Sequence, residues 1–246
     1  MKPKQAEKII KSHEEGNHEK YHSPWGGKYL GDLVYGANDG IITTFAVVSA
    51  VTGASLEAFI VLIVGFANLL ADGVSMAVGN YLAIKSDHDF MNRQKQIEEW
   101  EVENIPDHER EEVRVIYRNK GLTGKLLEQV VDKITQNKKV WVDVMMKEEL
   151  MMCPDEDIKA WKNGLATLIA FIVAGFLPLM PYAFAIEPMF ELSIILTGVT
   201  MFIVGAARAI VTARNWFRSG IEMLAVGAIA AVVAYLVGYF LRGLGV

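Results

Sequence analysis

Residues 30–85 decide the fold, and they read LGDLVYGANDGIITTFAVVSAVTGASLEAFIVLIVGFANLLADGVSMAVGNYLAIK. Two apolar runs, from about Leu30 to Val51 and from Leu56 to Ile84, lie on either side of a short Gly-Ala-Ser turn. Each run reaches the roughly 20 residues that an α-helix needs to cross a bilayer. The stretch therefore predicts a hairpin of two transmembrane helices.

Polar side chains interrupt the middle of both runs. Asp32 and Asp39 are seven residues apart and share one face of the first helix. Asn68, Asp72 and Met76 follow one another at intervals of four and share a face of the second helix. A carboxylate in the middle of a membrane helix costs roughly 2.5–3.5 kcal/mol or more, and a path for cations would offset that cost. We predict that these side chains line a transport pore; the alternative is that they join the helices through hydrogen bonds.

The turn also predicts which of these residues meet. If it centres near residues 54–55, antiparallel pairing puts Asp39 opposite about position 70, between Asn68 and Asp72 in depth. Asp32 then lies opposite about position 77, close to Met76. We therefore expect one polar stripe along the hairpin.

Charge is segregated along the 246 residues, of which 52% are hydrophobic and 22% charged. No Lys or Arg occurs in residues 29–84, 163–207 or 219–241, which is typical of membrane helices. Three further crossings are predicted at about Gly164–Phe184, Leu192–Ala213 and Ile221–Leu241. The net charge of −5 predicts no particular partner, and we expect no nucleic acid to bind. The single cysteine, Cys153, excludes an internal disulfide.

A polar helical insert separates the second crossing from the third. The second helix continues to Pro106, and further helices are predicted from Pro106, over Gly124–Thr135 and over Lys139–Met152. The insert has few large apolar residues, so we expect it to lack an independent core and to lean on a partner copy. The predicted organisation is a tail at 1–28, the hairpin at 29–85, the insert at 86–160 and three crossings at 161–246.

Paired carboxylates and methionines mark the insert as a candidate metal-binding domain. Two glutamate pairs with a spacing of three lie on consecutive helices, and the turn at Pro106 can fold one pair toward the other. Carboxylates bind divalent cations, and thioether sulfur shifts the preference toward transition metals. Other acids of these helices are ordinary for a soluble helix. The candidate ligands are Glu98, Glu101, Glu109, Glu112, Met145, Met146 and Glu149.

Basic residues predict the orientation. Arg208, Arg214 and Arg218 surround one connection, and the positive-inside rule then puts the tail, the insert and this connection in the cytosol. The first 28 residues are polar and show no cleavable signal peptide, so we interpret His13, His18 and His22 as part of a solvated tail. A short chain without a targeting sequence favours a prokaryotic plasma membrane over a vacuolar membrane.

Taken together, the motifs resemble those of the vacuolar iron transporter family. They are D-x₆-DGI-x-T from Asp32, SMAVGNYLAIKS at Ser75–Ser86, E-x-x-E from Glu98, P-D-x-E-x-x-E from Pro106 and W-x-D-x-MMK-x-E at Trp141–Glu149. The resemblance runs over nearly the whole chain from about residue 29. It implies an all-α membrane protein with five transmembrane helices and a small cytosolic helical domain between helices 2 and 3.

The resemblance also implies a function. The family is expected to form homodimers that export Fe²⁺, and often Mn²⁺, from the cytosol in exchange for protons. Such a protein is a secondary-active transporter rather than an enzyme and holds no prosthetic group. Its pore lies between the protomers, where Asp32, Asp39 and Met76 match the membrane site, and the seven candidate ligands of the insert match its metal-binding domain. Plant members have a glutamate where this chain has Asn68, and Asp72 one turn on can restore the carboxylate.

Two other classes of protein fit parts of the pattern. A membrane protein that stores or senses iron would bind metal in the insert without moving it. A membrane-bound oxidase with a di-iron centre would also use paired carboxylates, but such bundles usually add Glu-x-x-His on two helices. His108 is adjacent to Glu109 rather than three residues beyond it, which argues against the oxidase.

Overall fold

The structure, a computed structural model, describes residues 29–153, 159–211 and 214–242, without the side chains of 210 and 211. Within these ranges the chain is helical and contains no strand. The helices are α1 (Leu30–Gly53), α2 (Ala58–Asn104), α3 (Pro106–Asn119), α4 (Gly124–Thr135), α5 (Lys138–Val144), a π-helical turn (Met145–Glu149), α6 (Ala160–Ala183), α7 (Met189–Val211) and α8 (Trp216–Arg242). The tail with His13, His18 and His22 lies outside the described residues.

Five of these helices, α1, α2, α6, α7 and α8, are long and apolar enough to cross a membrane. The predicted all-helical, multi-pass architecture is therefore confirmed. Observed boundaries differ from the predicted ones by up to five residues, because polar and aromatic residues at the ends of the apolar runs continue the helical backbone. The third crossing, for example, begins at Ala160 rather than Gly164.

The chain divides into two compact units. The described residues up to Tyr81 and from Trp161 onward form one unit, which is called the membrane unit here; the described residues of Leu82–Ala160 form the other, which is called the insert. The boundary falls inside α2, whose helical backbone is unbroken from Ala58 to Asn104.

Small residues let α1 and α6 of the membrane unit touch backbone to backbone. A Cβ atom added to Gly36 would lie 2.4 Å from the carbonyl oxygen of Thr167, and one added to Gly40 would lie 2.4 Å from that of Phe171. Gly175 approaches the carbonyl oxygen of Gly40 from the other side, at 2.7 Å from its hypothetical Cβ. Such contacts are typical of helices packed in membranes, where small residues allow close approach.

The insert has an apolar core of its own, so the expectation that it lacks one was wrong. The core draws residues from every helical segment of the unit, and α4 contributes Leu127, Val131 and Ile134 at spacings of four and three. Five helical segments thus each contribute a few apolar side chains, and together these form a core that no single segment indicates. The core residues are Val102, Val113, Leu127, Val131, Ile134, Trp141, Val142, Met145 and Met146.

The last helix of the insert is not the single α-helix that was predicted. Asn137 caps α5, since its side-chain oxygen accepts hydrogen bonds from the amides of Lys139 at 3.0 Å and Val140 at 3.3 Å. After Val144 the backbone widens into a π-helical turn, in which the amide of Leu150 donates to the carbonyl oxygen of Met145 at 3.2 Å. Turns of this kind are frequent at functional sites.

Candidate metal-binding sites

Three glutamates meet where α2 ends and α3 begins. Each of Glu98, Glu101 and Glu109 has a carboxylate oxygen within 4.8 Å of those of the other two. Glu98 and Glu109 are buried, with exposed fractions of 4% and 2%. The break before Pro106 produces this meeting, because a proline in the first turn starts α3 in a new direction.

Two further glutamates join them electrostatically. Glu98 lies near the C-terminal end of α2, outside the apolar part that can cross a membrane. Burial, followed by the charges of Glu149, Glu101 and Glu112, raises the pKa of Glu98 to about 7. Burial and the same neighbours, led by Glu112, raise the pKa of Glu109 to about 7. Desolvation and the charges of Glu112 and Glu101 also raise the pKa of Glu149, although His108 opposes the rise. These five residues, Glu98, Glu101, Glu109, Glu112 and Glu149, are called the acidic cluster below.

Among the described residues, no lysine or arginine pairs with the acidic cluster. The cluster does contact one imidazole ring, since Nε2 of His108 lies 3.4 Å from Oε1 of Glu112. Other acids of the insert do have basic partners: Glu103 pairs with Lys138, Glu111 with Arg114, and Glu148 with Lys120. These three bases of the insert are therefore bound to its outer acids, and none of them compensates the charge of the acidic cluster.

Two oxygens of the acidic cluster are buried without any hydrogen-bond partner. They are Oε2 of Glu98 and Oε2 of Glu109. An unpaired buried carboxylate is costly, and coordination of a cation is one of the ways in which proteins compensate it. The arrangement of hard oxygen atoms suits a divalent metal ion.

Met145 and Met146 lie in the apolar core of the insert. Their exposed fractions are 0% and 1%, and the same core includes Val102 and Val113. Val102 stands four residues after Glu98 and Val113 four residues after Glu109, so each valine shares a helix face with a member of the acidic cluster. Both methionines therefore belong to the same core as residues of the two helices that carry the acids.

In the membrane unit, Asp39 of α1 and Asp72 of α2 are close enough for their carboxylates to interact electrostatically. This agrees with the pairing that the turn predicts. Asn68, one turn before Asp72, has a buried side-chain nitrogen without a hydrogen-bond partner. Met76, one turn after Asp72, packs against the apolar core of the membrane unit. The hairpin thus brings a carboxylate pair together with an amide and a thioether on the same helix.

Asp32 has a different environment. Its Oδ1 accepts a hydrogen bond from Nδ2 of Asn80 at 2.8 Å, and its Oδ2 accepts one from Nδ2 of Asn163 at 2.6 Å. We call these two residues the asparagine clamp. The contact lies one turn beyond the position near Met76 that the turn arithmetic predicts.

Sequence analysis missed both asparagines. Asn80 continues the series Asn68, Asp72 and Met76 at the same interval of four, so the series itself was a signal that could have found it. Asn163 stands alone at the start of an apolar run, and nothing in the sequence near it indicates a contact with the hairpin.

Comparison with known proteins adds independent information. The sequence profile of the VIT family matches residues 30–239. A vacuolar iron transporter of Toxoplasma gondii is 36% identical over 238 residues, which cover 92% of this chain and 79% of that protein. Vacuolar iron transporter 1 of Arabidopsis thaliana is 32% identical over 211 residues, 85% of this chain and 84% of the relative. A vacuolar iron transporter of Plasmodium berghei is 32% identical over 241 residues, 94% of this chain and 88% of the relative.

These relatives are named for the vacuole. The similarity therefore does not favour the prokaryotic plasma membrane that the absence of a targeting sequence led us to expect. It agrees with the finding of five helices that can cross a membrane.

Proposed function

The chain belongs to the VIT family, and from that premise we propose that it carries a divalent transition metal across a membrane. Fe²⁺ is the first candidate for the cargo, since the relatives are named as iron transporters, and Mn²⁺ is the second. The metal is the substrate of a secondary-active transporter. It leaves the cytosol in exchange for protons.

The acidic cluster is the observation that carries this proposal. Five glutamates converge in the insert, and none of them has a lysine or arginine partner among the described residues. Carboxylate oxygens bind divalent cations, and the thioethers of Met145 and Met146 would favour transition metals over magnesium and calcium. We propose that the acidic cluster collects metal on the cytosolic side and raises its local concentration.

The carboxylate pair of the membrane unit supports an exchange of metal for protons. Asp39 and Asp72 lie close enough to interact electrostatically, and two ionised carboxylates would repel one another within the apolar hairpin. Either a proton or a metal ion can relieve that repulsion, and the presence of one disfavours the other. Asn68 and Met76 would complete the path with an amide and a sulfur ligand.

A second copy of the chain would complete the pore. The face of α2 beside Asn68 and Asp72 is exposed and carries small or apolar side chains, namely Val64, Ala71, Ser75 and Val78. In a membrane such a face meets either lipid or another protein. We propose that it meets the same face of a partner protomer, so that the polar stripes of two hairpins enclose the path.

Transport into sealed proteoliposomes tests the proposal. Fe²⁺ uptake would be followed under anaerobic conditions, with and without an imposed pH gradient, for the parent protein and for Asp39→Ala. Glu57→Ala, which removes an exposed acid at the turn between α1 and α2, is the matched control. We expect gradient-dependent uptake that Asp39→Ala abolishes and Glu57→Ala leaves intact.

Two other results would each overturn part of the proposal. Metal binding by the acidic cluster without any uptake would indicate a storing or sensing protein. Uptake by Asp39→Ala at the rate of the parent would show that the path does not pass Asp39.

A further inference from the structure

The asparagine clamp joins three helices of the membrane unit at one level. Asp32 lies on α1, Asn80 on α2 and Asn163 on α6. Nδ2 of Asn80 also donates to the hydroxyl oxygen of Thr167 at 2.8 Å, and that hydroxyl donates to the carbonyl oxygen of Asn163 at 3.1 Å. The four side chains thus form one connected hydrogen-bond network.

Backbone packing holds the network together. A Cβ atom on Gly36 would lie 2.4 Å from the carbonyl oxygen of Thr167, and one on Gly164 would lie 2.6 Å from that of Ala77. Helix α6 therefore touches both α1 and α2 at this level without room for another side chain. Asn163 is 8% exposed and Thr167 is fully buried, so water cannot easily replace the partners that they have in the network.

The amide groups of the clamp bind both carboxylate oxygens of Asp32, which are the atoms that a cation would need. Each oxygen of Asp32 faces an amide N–H at hydrogen-bond distance, and these hydrogens repel an approaching positive ion. Among the described residues, no side chain donates a hydrogen bond to the carboxylate of Asp39. Asp32 therefore has its carboxylate oxygens bound by side-chain donors and Asp39 does not, although the spacing of seven makes the two residues look equivalent.

We propose that Asn80 and Asn163 are positioning residues, which make Asp32 an anchor between three helices and thereby set the rotation and depth of α1 at Asp39. Seven residues correspond to about 10 Å along a helix and to nearly two full turns, so a fixed Asp32 also fixes the direction in which Asp39 points. The proposal rests on the proposed transport function. It assigns Asp32 to the support of the path rather than to the path itself.

One buried atom makes a sharp test possible. Oδ1 of Asn163 has no hydrogen-bond partner. If Asp32 were replaced by asparagine, rotation of the Asn163 carboxamide by half a turn would present this oxygen to the new amide. Asp32→Asn can therefore keep the network, whereas Asn163→Asp would set two carboxylates against each other.

The experiment measures Fe²⁺ uptake into proteoliposomes and thermal unfolding of the full chain in detergent for three variants: Asp32→Asn, Asn163→Asp and the double variant. We expect Asp32→Asn to lower the maximal uptake rate by less than about threefold, because a neutral hydrogen bond replaces a charged one. Asn163→Asp should lower both the rate, by about tenfold or more, and the unfolding temperature, because like charges meet in a buried site. The double variant Asp32→Asn/Asn163→Asp should recover both the uptake rate and the unfolding temperature. Asn119→Asp, an added charge on an exposed position of the insert, is the control.

The opposite pattern would overturn the proposal. If Asp32→Asn abolished uptake at an unchanged unfolding temperature, and the double variant were folded yet inactive, a carboxylate would be required at position 32 as a ligand. If Asn163→Asp failed to fold, Asn163→Ser would give the answer instead. We expect Asn163→Ser to lower the unfolding temperature and the maximal rate while the KM for Fe²⁺ stays within about twofold. A tenfold rise in KM at an unchanged unfolding temperature would put Asn163 on the cation path and contradict the anchor.

Failure of the proposed function would look different. A parent protein that takes up no metal would refute transport, yet the unfolding temperatures would still show whether Asp32→Asn rescues Asn163→Asp. Rescue of stability without any transport by the parent would keep the anchor and remove its transport role.

Discussion

Glu98 on α2 and Glu109 on α3 face one another across the break at Ile105, and each keeps one buried carboxylate oxygen without a hydrogen-bond partner. Both carboxyl groups have a pKa raised to about 7, with burial as the main cause. A site with this arrangement is poised between two occupants, protons and a divalent cation.

Removal of one carboxylate should weaken metal binding and stabilise the metal-free chain. We expect Glu98→Gln or Glu109→Gln to lower the affinity for Fe²⁺ or Mn²⁺ by about tenfold or more, since one charged ligand is lost. The metal-free unfolding temperature should rise, because a repelling charge is removed. Anaerobic titration calorimetry and thermal unfolding would measure the two effects. The control is Glu103→Gln, which only breaks an exposed pair with Lys138. It should change the metal affinity and the unfolding temperature little.

Stability of the metal-free insert should fall as the pH rises. The pKa values of Glu98 and Glu109 are raised from 4.5 to about 7 on folding, so the folded state binds more protons than the unfolded state between these values. The stabilisation from these protons is complete below pH 4.5 and is lost as the pH passes about 7. Denaturant unfolding of the full chain in detergent, followed by tryptophan fluorescence, should show a lower midpoint at pH 8 than at pH 5.5. In Glu98→Gln/Glu109→Gln the difference should shrink, and an unchanged difference would contradict the assignment.

Bound metal should reverse this trend. Binding requires ionised carboxylates, so the apparent affinity for Mn²⁺ should increase from pH 5.5 to pH 8 and protons should be released on binding. Calorimetry in buffers of different ionisation enthalpy measures the released protons. An affinity that does not vary with pH would exclude Glu98 and Glu109 as ligands.

Replacement of the buried methionines should change selectivity more than stability. Met145→Leu and Met146→Leu keep nearly the same volume in the core, a kind of exchange that usually costs less than about 1.5 kcal/mol. Loss of the thioethers should reduce the preference for Fe²⁺ over Mg²⁺ by several-fold. Competition binding measures the ratio. If the ratio stayed constant in both variants, the methionines would act only as core residues.

Close approach of α1 to α6 should make Gly40 intolerant of a side chain. A Cβ at Gly40 would lie 2.4 Å from the carbonyl oxygen of Phe171, so Gly40→Ala should destabilise the membrane unit by roughly 1–3 kcal/mol and slow transport. Gly79→Ala is the matched control, because a Cβ there meets nothing within 4 Å. Thermal unfolding in detergent compares the two, and equal unfolding temperatures would contradict the packing of α1 on α6.

The single cysteine offers a test of orientation. Cys153 is exposed, so a membrane-impermeant maleimide should label it only when it has access to the side that carries the insert. With the insert in the cytosol, Cys153 in intact cells should be protected until the membrane is permeabilised. Cys153→Ser with Glu57→Cys should give the reverse pattern. Labelling of Cys153 in intact cells would invert the orientation that the arginines predict.

Helical periodicity allowed much of the architecture to be predicted. Long apolar runs without Lys or Arg predicted five crossings, and a spacing of three predicted that Glu98 and Glu101 share a face, as do Glu109 and Glu112. The family resemblance based on these motifs is confirmed by the match over residues 30–239. Such features depend on neighbours within one helix, for which sequence spacing is sufficient.

Contacts between distant segments were harder to predict. The core of the insert was missed because it assembles from five helical segments that each contribute few residues. The π-helical turn at Met145–Glu149 closes with a hydrogen bond from the amide of Leu150 to the carbonyl oxygen of Met145, and the local sequence fits an ordinary α-helix equally well. Asn163 reaches Asp32 across 131 positions of sequence, a distance over which periodicity carries no information.

The pairing of Lys138, Arg114 and Lys120 with outer acids has a consequence for the life of the protein in a cell. With Lys138, Arg114 and Lys120 already engaged, the cargo itself is the counterion that the acidic cluster lacks. A ligand that binds only the folded state protects it in proportion to its concentration. Metal-starved cells would therefore hold a looser insert that proteases cut more readily, and metal-replete cells a tighter one, so that turnover of the transporter follows the supply of what it transports.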